Sequence, residues 1–515
     1  MSRTLDDRPA AVEAAAPRER GASLPAPWRD PALLVCCAIA VLVFLPHGFH
    51  GYLSRDLALY TYAGQQFADG VVPYAAVVNR AGPLAHAIPG VGIFLARLVG
   101  IDDVIGVRIF FLLISVVAVG ACYLMGRTVF RSRLAGIGAA AVLICNQGFV
   151  FYATNGPREK TAMVLFFILA LTAMARRRWV TTGFFIALAT LTWQPVLFSA
   201  LAGAVVAVLL GERSGRIRAL MRVAVGGILP TALIAVAYLA IGHPKLFWND
   251  FLLINARYTK QVSLANDPSG VASMMRDGYG ASLYVFAGGL VLLLLLGFWL
   301  VLRRRDRDDR GFVMILASGV MLLAGLLFAL KALNGFPDVF FLIPLAGLGV
   351  GGVLARIRAR HARAAIAATA LLSAAATAIG LDYSISHRSH ELDDQRRDTT
   401  AVMALLPRNA TILSLEAPQP LVLTGKRNPT RYQLFGNGLI DYLDATWPGG
   451  REGYARHVLD EKPTVIALGG LDDPGWITTK MTAYVHVGHS RGWGWYVRRD
   501  VGASTLRKIK AVFGD

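Results

Sequence analysis

Two carboxylates stand at the ends of apolar runs, where side chains can do chemistry at a membrane surface. Asp56 follows the first apolar stretch in Phe49-His50-Gly51-Tyr52-Leu53-Ser54-Arg55-Asp56-Leu57, and Glu159 lies in Asn155-Gly156-Pro157-Arg158-Glu159-Lys160. A carboxylate held beside an incoming hydroxyl can take its proton during attack. The same residues have plainer uses: Asp56 can pair with Arg55 or cap a helix starting at Leu57, and Glu159 suits the first turn of a helix. Arg80, Arg158, Arg257, Lys260 and Lys331 are cations of the kind that stabilise a departing anion, although each alone also fits an interfacial anchor.

The elements that position these groups are helices in a bilayer. The chain has 515 residues, 55% hydrophobic and 17% charged, with a mean hydropathy of +0.51, which is too apolar for a soluble protein of this size. The sequence predicts about eleven spans, near 31–48, 107–129, 134–154, 160–175, 179–193, 195–211, 219–241, 281–302, 312–330, 337–355 and 363–381. Such runs match about 30 Å of hydrocarbon. The +19 formal charge falls in short arginine clusters between the runs, such as Arg127, Arg131 and Arg133 or Arg176 to Arg178. That spacing sets topology rather than building a nucleic-acid surface. All clusters can be cytoplasmic if the segment 84–100 lies on the outer face without crossing, inside a long first external loop of residues 49–106.

Residues 1–30 read as a disordered cytoplasmic tail, 31–381 as the transmembrane part, and 382–515 as a small extracytoplasmic α/β domain. Its predicted strands are Thr411 to Leu415, Pro420 to Leu423, Thr464 to Leu468, Tyr484 to Gly488 and Gly494 to Arg498, with helices near 394–406 and 450–460. The four cysteines all fall in apolar spans, so neither a disulfide framework nor a zinc motif is expected. His47, His50 and His86 share the outer face with Asp56, but their spacing matches no metal motif. No glycine-rich loop joins a strand to a helix as a nucleotide site would require.

The run Asp56, Tyr60, Gln65 to Tyr74 and Asn79-Arg80-Ala81-Gly82-Pro83-Leu84, with Phe151 to Lys160, resembles the GT-C superfamily of glycosyltransferases. The similar branch holds protein O-mannosyltransferases and bacterial lipid A aminoarabinose transferases. The resemblance implies a mainly α, polytopic bundle of GT-C type in which Asp56 is the base and Glu159 a supporting acid. In that family a lysine before a proline pair holds the donor phosphate. Here Arg80 with Gly82-Pro83 stands near it, offset by one residue and lacking one proline. Arg158, Arg257, Lys260 and Lys331 are expected at the donor phosphate from their outer placement, Arg257 also lying in a segment that resembles a loop near the lipid site of relatives, and Tyr60, Tyr74 and His86 are expected to bind substrate. Phe336 to Pro344 is similar to a late motif that often has histidine and tyrosine where Asp338 and Phe340 stand. Trp193-Gln194-Pro195 is similar to a Lys-Gln-Pro or Lys-Gly turn between spans, but a tight helical hairpin is the favoured reading.

The expected activity is transfer of a sugar from a polyprenyl phosphate, in the plasma membrane, to an extracytoplasmic glycan, lipid or protein acceptor. No cofactor is evident beyond the lipid-linked donor, and a divalent metal is left open. A transporter or flippase would bury charges at mid-membrane and often show repeated halves, neither of which the sequence has. A non-catalytic envelope assembly protein keeping the same fold is the other alternative.

Overall fold

The protein is described by a computed structural model covering residues 29–212, 214–260, 266–303 and 310–514. Most of the expected 1–30 tail, and Arg213, Arg304, Arg305 and Arg307 of the basic clusters, lie outside the described residues. All eleven apolar segments are helical. By length and composition six helical stretches among the described residues can cross a membrane, or seven if one bent pair counts as a single span.

The first helix, α1 (Pro31–Phe44), starts with proline at its first position and the Asp30 side chain accepting from Ala32 N. These two features complete a helix N-terminus. The polar helix α2 (Arg55–Ala68) follows, then α3 (Leu84–Leu98), whose 15 residues reach about 22 Å at 1.5 Å per residue, short of the hydrocarbon thickness. Val91, Phe94, Leu95 and Leu98 are exposed on it, as a helix lying on the bilayer would require. The long α4 (Asp103–Phe130) is capped by Asp102.

The expected straight span over 134–154 is instead two helices, α5 (Arg133–Ile144) and α6 (Gln147–Asn155), bent by 69°. Asn146 accepts from Phe149 N at 3.0 Å, so its side chain starts a new helix where the ladder breaks. There follow α7 (Glu159–Ala175), α8 (Trp179–Thr192), α9 (Val196–Gly211), α10 (Arg216–Ala240), the single turn α11 (Pro244–Leu246) and a π-helical segment Phe247–Tyr258. The bundle ends with α12 (Pro268–Tyr279), α13 (Ser282–Leu302), α14 (Arg310–Lys331), a 3-10 stretch Phe336–Leu342, α15 (Ile343–Arg360) and α16 (Ala362–Ser386).

After α17 (Glu391–Ala404) the chain builds a four-stranded sheet from β1 (Ile412–Leu415), β2 (Val465–Leu468), β3 (Tyr484–Ser490) and β4 (Trp493–Arg498). The order is β1-β2-β4-β3, with β1 parallel to β2 and the other pairs antiparallel. Pro420 to Leu423, expected as a strand, is the helix α18 (Gln419–Thr424). Proline cannot donate to a sheet ladder but suits the first turn of a helix, and α18 buries Leu421 and Val422. The helices α19 (Leu439–Thr446), α20 (Gly450–Asp460), α21 (Gly475–Thr478) and α22 (Ala503–Val512) complete this part.

One apolar cluster joins Leu57, Leu59 and Tyr62 of α2 to Leu421, Ile412, Val465, Trp495 and Val497. Fully burying each such leucine is worth about 1.5–3 kcal/mol, so α2 is held as part of the C-terminal core. The helix that carries Asp56 is therefore fixed by two halves of the chain.

Candidate functional site

Asp56 sits in the first turn of α2, where the helix dipole favours a negative charge. Its Oδ2 accepts from Arg158 Nη1 at 2.6 Å, and its Oδ1 from Arg55 Nη2 at 3.1 Å and Nε at 3.2 Å. Burial alone would push this carboxyl up, but Arg158 and Arg55 outweigh it and hold the group well below the usual carboxylate range. Arg158 also lies over the rings of Tyr60 and Tyr152, at 5.9 and 5.7 Å.

A second charged group lies at the start of α7. Glu159 pairs with Lys160, and Lys160 Nζ is 3.2 Å from Asp338 Oδ1. Asp338 Oδ2 in turn accepts from the amides of Asn334 and Gly335 at 2.8 and 3.3 Å. Lys160 stands over the Trp193 ring at 5.2 Å. These three side chains are nearly enclosed, and with Arg158 Nε 3.4 Å from Glu159 Oε2 the two carboxylates face two cations, which makes their burial tolerable.

Arg80 is placed through its backbone. Its carbonyl accepts from Gln194 Nε2 at 2.9 Å and Asn255 Nδ2 at 2.8 Å, and Gly82 N donates to Thr192 O at 3.1 Å. A Cβ at Gly82 would fall 1.9 Å from Leu191 O, so glycine is needed for the loop to lie against the end of α8. Among the described residues the Arg80 guanidinium makes no hydrogen bond or ion pair.

Asp56, Glu159, Arg80, Arg158 and Tyr60 line one cavity of about 180 Å³, together with Arg55, Lys160, Asp338, Glu416 and Gln194. Its wall holds four cations and four carboxylates, and among the described residues Arg80 is the cation of that wall left without an ionic contact. An apolar groove of about 460 Å³ between α8, α9 and α10 reaches the same Gln194.

Other expected site residues lie elsewhere. Tyr74 is fully buried and donates its hydroxyl to Ala81 O at 2.8 Å, so it supports the loop bearing Arg80. His86 is buried with its ring 5.0 Å from that of Tyr74. Arg257 and Lys331 are exposed, Lys260 is exposed and pairs with Asp441 at 2.6 Å, and none of the three lines the cavity. Arg55, Asp338 and Glu416 line the cavity without being among the expected site residues. For Asp338 the signal was its place in the late motif. Glu416 had none.

No family model matches the sequence, and no curated protein does. Among solved structures the chain is similar to ArnT from Cupriavidus metallidurans in the apo state, with a TM-score of 0.61 at 13% identity over 94% of this chain and 99% of that one. The same protein bound to undecaprenyl phosphate gives 0.60 at 12% identity, covering 93% and 98%. The apo oligosaccharyltransferase of Archaeoglobus fulgidus gives 0.52 at 12% identity, covering 93% of this chain and 77% of that one. At these identities the likeness is one of architecture alone.

Proposed function

We propose that the protein transfers a sugar from a polyprenyl phosphate to an acceptor hydroxyl, with Asp56 as base. The observation that carries this is one shared residue: Gln194 lines both the charged cavity and the apolar groove, so an isoprenoid chain lying in the groove brings its phosphate beside Arg80. ArnT from Cupriavidus metallidurans, whose fold is similar, has been seen with undecaprenyl phosphate bound.

In this reading the acceptor oxygen attacks the anomeric carbon while its proton passes to Asp56. The bond from that carbon to the phosphate oxygen breaks with inversion, and polyprenyl phosphate leaves with the electron pair, its charge met by Arg80 and Arg158. A carboxylate paired as Asp56 is in the free protein is a weak base. A donor phosphate competing for Arg158 relieves that pairing and strengthens the base when substrate is present. Glu159 with Lys160 and Asp338 supports Arg158 from behind.

The cavity faces the extracytoplasmic side in this reading. Arg176 to Arg178 follow the far end of α7 from Glu159, which spacing of 1.5 Å per residue puts about 25 Å away, and such clusters stay cytoplasmic. The acceptor reaches the cavity from the C-terminal side, where Glu416, Gly436 and Asn437 form part of the wall.

The test is transfer of radiolabelled sugar from polyprenyl-phosphate donors by purified wild-type and Asp56→Asn protein. The wild type should release labelled product and the variant should be slower by about 10²–10⁴-fold. Turnover equal to wild type in Asp56→Asn would remove the base.

A further inference from the structure

Away from the cavity, His50, His390 and Asp393 meet where the chain leaves α1 and where it enters α17. His50 Nδ1 lies 2.8 Å from Asp393 Oδ1, and His390 Nδ1 lies 3.5 Å from Asp393 Oδ2. Each oxygen of one carboxylate thus faces one imidazole, and one ligand atom from each residue lies within 4.8 Å of the others.

Bonds of about 2.0–2.1 Å to a tetrahedral zinc ion separate its ligands by about 3.3 Å. The present spacing brackets that value, and the three side chains are exposed enough to rotate into it. Nearby Glu391 is held by Arg491 at 2.6 Å, which leaves the fourth position to water. Two imidazoles and one carboxylate favour a borderline ion over calcium or magnesium, which prefer all-oxygen sets. The histidines that share the outer face with His50 in sequence take no part: His47 is buried against Asn155 at 2.8 Å, and His86 is buried beside Tyr74.

We propose that His50, His390 and Asp393 bind a divalent transition-metal ion of the zinc class, at a site separate from the Asp56 cavity. The ion fastens a seam that hydrogen bonds already mark. His50 O accepts from Leu392 N at 3.0 Å, and the Gln395 amide both accepts from Leu53 N at 3.0 Å and donates to Leu53 O at 3.1 Å. Residues 50–53 thus run along the first turns of α17 and lead directly into Arg55 and Asp56. A metal linking His50 to α17 braces the segment that aims Asp56.

The test uses the full-length protein in detergent, stripped with chelator and titrated with cobalt(II), then zinc. One equivalent of cobalt should give the strong visible absorption of four-coordinate cobalt, zinc should displace it, and the bound ion should raise the unfolding temperature. In His390→Ala and Asp393→Asn the affinity should fall by more than about tenfold, the loss that removing even an outer-shell partner can cause. Both positions are exposed, so the metal-free unfolding temperatures should match wild type. A wild type without that absorption, or equal cobalt affinity in wild type and both variants, would overturn the proposal; the second result means an adventitious ion elsewhere.

Discussion

Glu416 Oε2 lies 2.8 Å from Arg55 Nη1, so a carboxylate from the C-terminal region grips the residue immediately before Asp56. The two positions are 361 residues apart. The other oxygen of Glu416 accepts from the amides of Phe435 and Gly436 at 2.5 and 2.9 Å. Its backbone has φ +56°, a left-handed conformation that costs a side-chain-bearing residue about 1–3 kcal/mol. Such strain persists where surrounding contacts over-determine it. Here those contacts hold a shared cation between Glu416 and Asp56.

Glu416→Gln keeps an oxygen for the two amides and removes the charge that shares Arg55. We expect kcat to fall roughly tenfold, about 1.4 kcal/mol in the barrier, with little change in unfolding temperature. Glu416→Ala also leaves buried amides without a partner, each costing about 1–3 kcal/mol, and should lower the unfolding temperature too. A kcat for Glu416→Gln equal to wild type would show that Arg55 is held in place without it.

The pH profile follows from Asp56. The folded state holds this carboxyl below its unfolded value of about 3.9. Its ion pairing therefore stabilises the fold above that value and is lost as pH falls through the lower folded one. Between about pH 5 and 8 the free enzyme should show no acid limb in kcat/KM from this group. Once donor phosphate draws Arg158 away, the carboxyl rises, so kcat should lose activity on the acid side at a higher pH than kcat/KM does. Steady-state profiles of both parameters decide this, and the reverse order would contradict release of Asp56 by the donor.

Arg80→Ala should act on the donor. A hydrogen bond to a charged group is worth about 1.5–3 kcal/mol, so KM for the polyprenyl-phosphate sugar should rise roughly 10–100-fold while KM for acceptor stays near wild type. Matching changes for both substrates would place the phosphate elsewhere.

The sequence told which end of the bundle each charge occupies more readily than which direction it faces. Asp56, Arg80, Arg158 and Glu159 sit at the ends of apolar runs, and all four line one cavity. Arg257, Lys260 and Lys331 share their outward placement in the span reading but lie outside it, because apolar run length fixes depth along a helix and says nothing of azimuth. Arg55 is legible as a charge, but its partner Glu416 is not, since pairing across hundreds of residues leaves no periodicity. Hydrophobicity in Pro420 to Leu423 suits a strand or a buried helix alike, and the proline at the first turn decides for the helix. The bend at Asn146 has a local signal, since Asn146-Gln147-Gly148 interrupts the apolar run and asparagine favours an N-cap, but overall hydropathy masks it.

Asp250 of the π-helical segment is fully buried and accepts from Arg431 Nη1 at 2.6 Å. Arg431 also donates to Tyr74 O at 3.1 Å, and its own carbonyl accepts from Val78 N at 2.8 Å, which ties the loop bearing Arg80 to the C-terminal region. Removing one partner of a buried pair costs about 3–5 kcal/mol, whereas replacing both with apolar groups of similar volume is often neutral. Arg431→Met should therefore unfold at a clearly lower temperature than wild type, and Asp250→Leu with Arg431→Met should recover most of the loss. Burial pushes Asp250 up to about 6 even with Arg431 opposing it, and without Arg431 it rises further. A carboxyl raised in the folded state is stabilising below its unfolded value, and that contribution is lost as pH rises through the folded one. Arg431→Met should consequently be less stable at pH 8 than at pH 5.5, a difference that Asp250→Asn in the same background should abolish; thermal unfolding at the two pH values measures it, and a pH-independent loss in Arg431→Met would mean that Asp250 is not the group left unpaired.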